Sequence, residues 1–399
     1  MIYLDFNATT PVDPEVLEAM IPLFSQNFGN ASSAQHAFGI AALEKIEIAR
    51  GQVADLVGAR AASIIFTSGS TEAINLGIRG VLPTVFRGKK RILVGSTEHK
   101  AVLESAYLGA EENGLVVEEI PVLQDGIINL EALAEMISDD VALVAVMHVN
   151  NETGVINPIK LVSELAHKYG ALFFSDLTQS VGKIKVDIEE LGVDLGACSS
   201  HKIYGPKGVG ALFGDKRIIK NLSPLIVGGG HESGLRSGTQ NVPGIVGFGA
   251  AAQLVKNCLS KYQFRMLGIK NHFFDEVRRQ IPGVWDNGSY DRVNNTINLW
   301  FKGADANAVM TAMPNVCVSS GSACQSAVPA PSHVLIAMGI DRTAASESIR
   351  FSFGNTTTDE EVDQAISELV RAVGYVRAIN GVALHLENEI EVNVRAQSA

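Results

Sequence analysis

Val141-Ala142-Leu143-Val144-Ala145-Val146-Met147-His148, the helix-like stretch Leu161–Lys168 and Ala171-Leu172-Phe173-Phe174-Ser175-Asp176 together decide the fold class. Two short apolar runs, ending in His148 and Asp176, flank an amphipathic segment. A strand that is apolar on both sides belongs inside a sheet covered on both faces, and such sheets are mostly parallel. The same texture extends outward. Strand-like runs recur at Ser63–Thr67, Arg91–Gly95, Val116–Ile120 and Gly210–Phe213, and Ala42–Val57 is a further helix-like stretch. The pattern predicts an α/β fold with a large, mostly parallel sheet. Ligands of such sheets sit beyond the carboxyl ends of the strands, where Asp176, His148 and the Ser68–Thr71 loop fall.

After about Ala250 the texture changes. A long helical stretch, Ala251–Arg279, precedes short strands at Thr296–Phe301 and Val316–Ser319 and helices at His333–Met338 and Asp359–Ala378. This predicts a smaller α+β domain, residues 251–399, with the N-terminal segment 1–15 packed on it and the large domain spanning 16–250. In the tail, Val382, Leu384, Leu386 and Ile390, Val392, Val394 alternate with polar residues, as in a terminal hairpin or a frayed acidic end.

Composition excludes several classes. The 399 residues are 46% hydrophobic and 19% charged, with a net charge of -11. That balance argues against nonspecific nucleic-acid binding. No continuous apolar run is long enough for a membrane span, and MIYLDFNATTP lacks the regions of a signal peptide. The four cysteines, Cys198, Cys258, Cys317 and Cys324, show no CxxC spacing. They suggest a reducing compartment, and the expected location is the cytoplasm.

Ser199-Ser200-His201-Lys202-Ile203-Tyr204-Gly205-Pro206-Lys207-Gly208 carries the chemistry. A lysine that forms a Schiff base needs a fixed position, anion-binding neighbours and a lowered pKa. Pyridoxal phosphate (PLP) asks for all three, since its aldehyde takes the amine and its phosphate takes hydroxyls. Phe66-Thr67-Ser68-Gly69-Ser70-Thr71-Glu72 leads from a strand into a helix and reads as an anion site built from Ser70, Thr71 and free backbone N–H groups. Read alone it is equally an ordinary helix cap. Asp176, at a strand end, suits a protonated pyridine nitrogen, and His99 suits stacking or proton exchange. Cys324, in Ser319-Ser320-Gly321-Ser322-Ala323-Cys324, sits among small residues as an exposed nucleophile would. Cys317 and Cys258 read as core or neutral positions, and Cys198 as lying beneath the lysine loop. Arg350, among apolar neighbours, needs an anionic partner and its fork suits a carboxylate. Asn151 adds an amide donor, and the glycine-rich stretch from Gly228 to Thr239 could reach a phosphate.

Taken in order, LDFNATTPVDP, FGN, FTSGSTE, TEHKAV, HVNNETG, TQSVGK, SHKIYGPKG, GGGHE, RSGT and SSGSAC resemble a PLP-dependent cysteine desulfurase of the class V aminotransferase family. The resemblance covers nearly the whole chain. It implies the PLP-dependent transferase fold type I, with a seven-stranded-type sheet. It implies that Lys202 holds PLP, Asp176 pairs with the pyridine nitrogen, Gln179 bonds the phenolic oxygen and His99 stacks on the ring. Thr71, Ser199 and His201 would hold the phosphate with Ser70 close by, and Thr239 would serve the neighbouring subunit's site in a homodimer. Asn151 and Arg350 would bind the substrate carboxylate. Cys324 would take sulfur from L-cysteine, leaving L-alanine, and pass it as a persulfide to an acceptor protein. Iron–sulfur assembly, tRNA thiolation, molybdenum-cofactor sulfuration and DNA phosphorothioation all draw on such enzymes. No direct contact with nucleic acid or membrane is expected.

Four departures stand out: Leu177 where alanine is usual, Ser233 where arginine is common, Gln325 for threonine, and the added proline in Val328-Pro329-Ala330-Pro331. They bear on loop mobility and partner choice more than on chemistry. The rival readings are a selenocysteine lyase or an aminotransferase on the same fold, the latter without need of Cys324, and a sulfur-carrying partner that binds PLP only vestigially.

Overall fold

The structure, a computed structural model, describes residues 1–85, 88–320 and 331–382. Among these the strands, in chain order, are β1 (Ile2–Tyr3), β2 (Ile64–Thr67), β3 (Arg91–Gly95), β4 (Val116–Ile120), β5 (Val141–Ala145), β6 (Leu172–Asp176), β7 (Leu195–Ser199), β8 (Gly210–Gly214), β9 (Val284–Asp286), β10 (Thr296–Phe301), β11 (Val316–Cys317) and β12 (Ser348–Ser352). Seven of them form one sheet in the order β2-β8-β7-β6-β5-β3-β4. Strands β3 to β7 run parallel, and β8 is antiparallel to both β7 and β2. β2 therefore points the same way as the parallel set, and the ends of β2, β3, β5, β6 and β7 share one edge.

Period-two geometry divides the strand side chains between two cores. Leu93, Val144 and Phe173 face a cluster with Ile46 and Val53 of the helix Ala37–Val57 and with Phe248. Their neighbours Ile92, Val94, Leu143, Ala145 and Phe174 face the opposite cluster, with Ile74 and Val81 of the helix Ser70–Val85 and Val102 and Ala106 of the helix Lys100–Asn113. Phe173 and Phe174 are both fully buried, each worth about 1.5–3 kcal/mol of burial.

Several boundaries differ from the sequence reading for identifiable reasons. β7 is a strand that the apolar pattern did not reveal, because its run contains Gly196 and Ala197. Gly196 is there for space: a Cβ would lie 2.7 Å from the Phe213 ring and 2.9 Å from Leu177 Cδ1. Leu177 is fully buried in the large core, so the departure at that position packs downward against Gly196. The expected strand Val141–His148 stops at Ala145, although His148 N still donates to the Asp176 carbonyl at 3.2 Å.

The helix Val242–Gln280 begins at Val242 rather than Ala251. Glycines obscure its first turns, and Gly249 allows a close approach to the helix Ala37–Val57: a Cβ there would lie 2.6 Å from Ala49 Cα. Residues Val242 to Val255 of this helix join the large core, while Met266, Ile269, Phe273 and Val277 join a second core. The helix is long and apolar enough to cross a membrane, but 50% of its most apolar window is buried inside the protein. The second core lies on the antiparallel sheet β12-β10-β9 and the helix Asp359–Ile379, which starts with a capping box between Thr358 and Glu361. Ile2 and Leu4 pack in this second core; Phe6, Val16 and Met20 pack in the large one.

The expected strand Val316–Ser319 is regular only at β11, beyond which Ser319 forms an isolated bridge with Arg350. Cys317, expected in the core, is half-buried because β1 and β11 form only a two-stranded pair; Cys258 is exposed. Val382 N bonds the Arg377 carbonyl at 2.9 Å, and the rest of the tail lies outside the described residues.

Candidate active site

The shared strand edge collects the sequence-derived candidates. Asp176 closes β6 and Ser199 closes β7. Asp176 is buried, and its Oδ1 accepts from Thr178 N at 2.9 Å. Lys202 ends the short turn Ser200–Lys202 directly after β7. Its Nζ donates to the carbonyls of Asn7 at 2.6 Å and Ala8 at 2.8 Å, so the N-terminal segment forms the wall opposite the sheet. Cys198, beneath this turn, is buried, which pushes its thiol pKa up and makes it a poor nucleophile.

His99 caps the helix Lys100–Asn113, with Nδ1 accepting from Ala101 N at 3.1 Å. A neutral His99 therefore carries its hydrogen on Nε2. Burial pushes its pKa down; Asp176 and Glu152 oppose this, and Lys202 and His333 reinforce it. Its neighbour Glu98 is buried, and its Oε1 accepts from Met147 N at 2.6 Å. Burial raises the Glu98 carboxyl well above the usual range, which favours the neutral acid.

The anion cradle lies where β2 turns into the helix Ser70–Val85. A Cβ at Gly69 would meet only Ser199 Oγ, at 3.9 Å, so the turn stays open beside that hydroxyl. Gly210 permits this approach, since a Cβ there would lie 2.7 Å from Gly69 Cα. Glu72 is held away from the cradle: Oε2 accepts from Ser68 N at 2.8 Å and Oε1 from Arg236 Nε at 2.9 Å. Burial raises the Glu72 carboxyl, yet these bonds outweigh it and hold the pKa below the ordinary value. His201 meets Thr9 Oγ1 through Nδ1 at 3.1 Å, and burial, helped by Lys202 and Lys207, lowers its pKa to about 4. A neutral imidazole, two or more hydroxyls and helix N–H groups make a site for a phosphate. Together with a lysine amine and a buried strand-end carboxylate, they fit PLP.

Arg350, in β12, donates from Nη2 to Asp5 Oδ1 at 2.6 Å and from Nη1 to the Asn151 carbonyl at 3.0 Å. Its Nε is buried without a hydrogen-bond partner among the described residues. Asn151 thus meets Arg350 through its backbone. Ser319 exchanges backbone bonds with Arg350, 2.7 Å from Arg350 N to Ser319 O and 3.3 Å in return. On the far side of residues 321–330, Ser332 Oγ bonds Glu152 Oε2, and His333 Nε2 meets the Glu98 carbonyl at 2.9 Å. Cys324, Gln325 and the Val328–Ala330 stretch lie outside the described residues, but the residues on either side of them are bonded to Arg350 and to the His99 corner.

Thr239 is exposed and makes no described contact with Lys202. Its loop is tied to the cradle through the Arg236–Glu72 ion pair and through Glu232, which accepts from Phe66 N at 2.9 Å. Ser233, also exposed, has φ +57, and its neighbour Glu232 has φ +48. Four buried polar residues of the site escaped the sequence reading: Asn7, Glu98, Glu152 and Lys183. All four lie inside recognisable motifs, but nothing in a sequence distinguishes a buried lysine or glutamate from an exposed one.

With this geometry in place, comparison with known proteins is decisive. Residues 2–365 match the model of the aminotransferase class-V family. The chain is 45% identical over 408 residues to a cysteine desulfurase of Frankia sp., covering 100% of this chain and 97% of that protein. It is 43% identical over 380 residues to the cysteine desulfurase IscS of Rickettsia bellii, covering 95% and 92%. A solved NifS-like protein superposes with a TM-score of 0.87 at 35% identity, covering 94% of this chain and 99% of that one. The chain belongs to the class V aminotransferase family, and within it to the cysteine desulfurases.

Proposed function

We propose that this enzyme takes sulfur from L-cysteine onto Cys324, releases L-alanine and delivers the persulfide to an acceptor protein. The observation that carries this reading is the anchoring on either side of residues 321–330. Ser319 is bonded to Arg350, and His333 to Glu98 beside His99. The described residues on the two sides of the nucleophile's segment are thus bonded at the two ends of the site.

Lys202 would hold PLP, Asp176 would pair with its ring nitrogen, Gln179 would bond its phenolic oxygen and His99 would stack on it. Ser70, Thr71, Ser199 and His201 would hold the phosphate. When bound, PLP acidifies the substrate Cα proton and accepts the resulting charge. Lys202 moves that proton, and its two carbonyl acceptors at Asn7 and Ala8 fix where the amine waits. Arg350 and Asn151 bind the substrate carboxylate, and Arg350 Nε, which has no hydrogen-bond partner among the described residues, is a ready donor for it. The Cys324 thiolate attacks the substrate sulfur: an S–S bond forms, the Cβ–S bond breaks, and its electron pair stays on Cβ, which is then protonated to give alanine. The enzyme works as a homodimer in the cytoplasm, with Thr239 serving the neighbouring site.

The test is L-cysteine-dependent alanine and sulfide formation by wild type and Cys324→Ser, with bound PLP measured in both. Activity in wild type alone, with PLP in both, supports the proposal. Full alanine and sulfide formation by Cys324→Ser would favour a selenocysteine-lyase-like reaction that does not need Cys324, a keto acid in place of alanine would favour an aminotransferase, and loss of PLP from the variant would misplace Cys324 relative to the cofactor. Lys202→Ala is expected to lose the visible band of the bound cofactor.

A further inference from the structure

Lys183 is a buried lysine with no carboxylate on its amine among the described residues. Its Nζ donates to two amide oxygens, Asn7 Oδ1 at 2.7 Å and Gln179 Oε1. The opposite faces of both amides are also committed. Gln179 Nε2 donates to the Asn7 carbonyl at 3.0 Å, the same oxygen that accepts from Lys202 at 2.6 Å. Asn7 Nδ2 donates to Thr296 Oγ1 at 2.9 Å and to the Asn151 carbonyl at 3.1 Å. A free amide can turn over and exchange its oxygen for its nitrogen; one whose oxygen faces an amine donor cannot without losing that bond. Burial, with Lys202 and Arg350 adding to it, holds the Lys183 pKa well below normal, but the amine donates in either protonation state.

We propose that Lys183 is a positioning residue: by donating to Gln179 Oε1 and Asn7 Oδ1 it locks both amides, so that Gln179 presents its N–H donors toward the Lys202 amine. The inference rests on the reading that Gln179 serves the cofactor's phenolic oxygen. A donor at that oxygen favours its ionised form, so losing the donor moves the titration of the visible band to higher pH.

The test is a double-variant cycle on PLP-loaded protein, comparing wild type, Gln179→Ala, Lys183→Met and the double variant by the pH midpoint of the visible band. A hydrogen bond to a charged acceptor corresponds to about one pH unit or more. Gln179→Ala and Lys183→Met are each expected to raise the midpoint by about that much, and the double variant to move no further than Gln179→Ala alone. Additive shifts would overturn the proposal, as an independent charge effect of Lys183. An unchanged midpoint in Lys183→Met beside a shifted Gln179→Ala would overturn it while leaving the Gln179 reading intact. An unchanged midpoint in Gln179→Ala would remove both. If Lys183→Met does not fold, the cycle is run with Lys183→Leu, which is shorter and donates to neither oxygen; a wild-type midpoint there overturns the proposal equally.

Discussion

His148 ends its segment beside Asp176, buried, and its Nδ1 finds no hydrogen-bond partner among the described residues. Burial lowers its pKa from 6.5 to about 4. The folded state therefore resists a proton that the unfolded state accepts. The stabilisation is fully present above pH 6.5 and is lost as pH falls toward about 4, at about 1.4 kcal/mol per pH unit. His148→Leu removes no hydrogen bond at Nδ1, so its acid limb is expected to be flatter by about that slope. Urea unfolding of both proteins between neutral pH and the acid end of this window checks it; parallel limbs would refute it. His201 shifts similarly but is present in both proteins and cancels in the comparison. Residue types at this scale were legible where chemistry is local: a lysine between hydroxyls, an aspartate after an apolar run. Asn7 and Glu98 were not legible, because their importance comes from partners far along the chain. Asn7 alone meets Lys202, Lys183, Thr296 and Ser352.

Among elements, the loop after Leu225 is anchored by a buried carboxylate. Glu232 accepts from Arg50 at 2.7 and 3.0 Å, from Phe66 N at 2.9 Å and from Gln240 Nε2 at 2.5 Å. One carboxylate thus joins β2, the helix Ala37–Val57 and the glycine-rich loop, and its backbone occupies the left-handed region to do so. Glu232→Ala leaves Arg50 half-buried with only the more exposed Glu47 and the Ile64 carbonyl. The expected loss is about 3 kcal/mol or more, with a smaller loss for Glu232→Gln, measured by urea unfolding. A loss within ~0.5 kcal/mol would make the cluster a surface contact instead. Elements were legible where the apolar pattern was clean: Arg91–Gly95, Val116–Ile120 and Thr296–Phe301 appear at the expected residues. They were obscured where packing demands glycine, as at Gly196 in β7 and Gly249 in the long helix. There the small side chain serves a neighbour, and the signal resides in that neighbour.

At the scale of the whole molecule, the mostly parallel large sheet followed from the alternation of apolar runs with helix-like stretches, and a smaller α+β unit was expected from the change of texture after about Ala250. The long helix was expected only from Ala251; that its glycine-rich first turns, Val242 to Val255, join the large core was not legible. Among the described residues, an apolar face on the large unit is left uncovered. Phe24, Phe28 and Phe38 are 65%, 66% and 51% exposed, and Val227 is 78% exposed. The Phe28 and Phe38 rings meet at a tilt with centroids 5.5 Å apart, and Ser32 Oγ meets His231 Nε2 at 2.8 Å, so the aromatic pair and the glycine-rich loop form one surface. Thr239, whose proposed role is in the neighbouring site, follows on that same loop. Exposed aromatic residues gathered in this way mark an interface. The proposed homodimer would cover them with a second copy of the chain, which also accounts for a phosphate-seeking threonine exposed away from its own Lys202. Phe28→Glu with Phe38→Glu is expected to weaken dimerisation by about 30-fold or more, the effect of losing a 2 kcal/mol hot spot. Sedimentation velocity over a dilution series would show a monomer appearing in the variant at concentrations where the wild type stays dimeric. PLP retention should fall with it, because each site would lose the neighbour's Thr239. A variant that dimerises like the wild type would place the interface elsewhere, and a monomeric variant that keeps its PLP would place Thr239 outside the site.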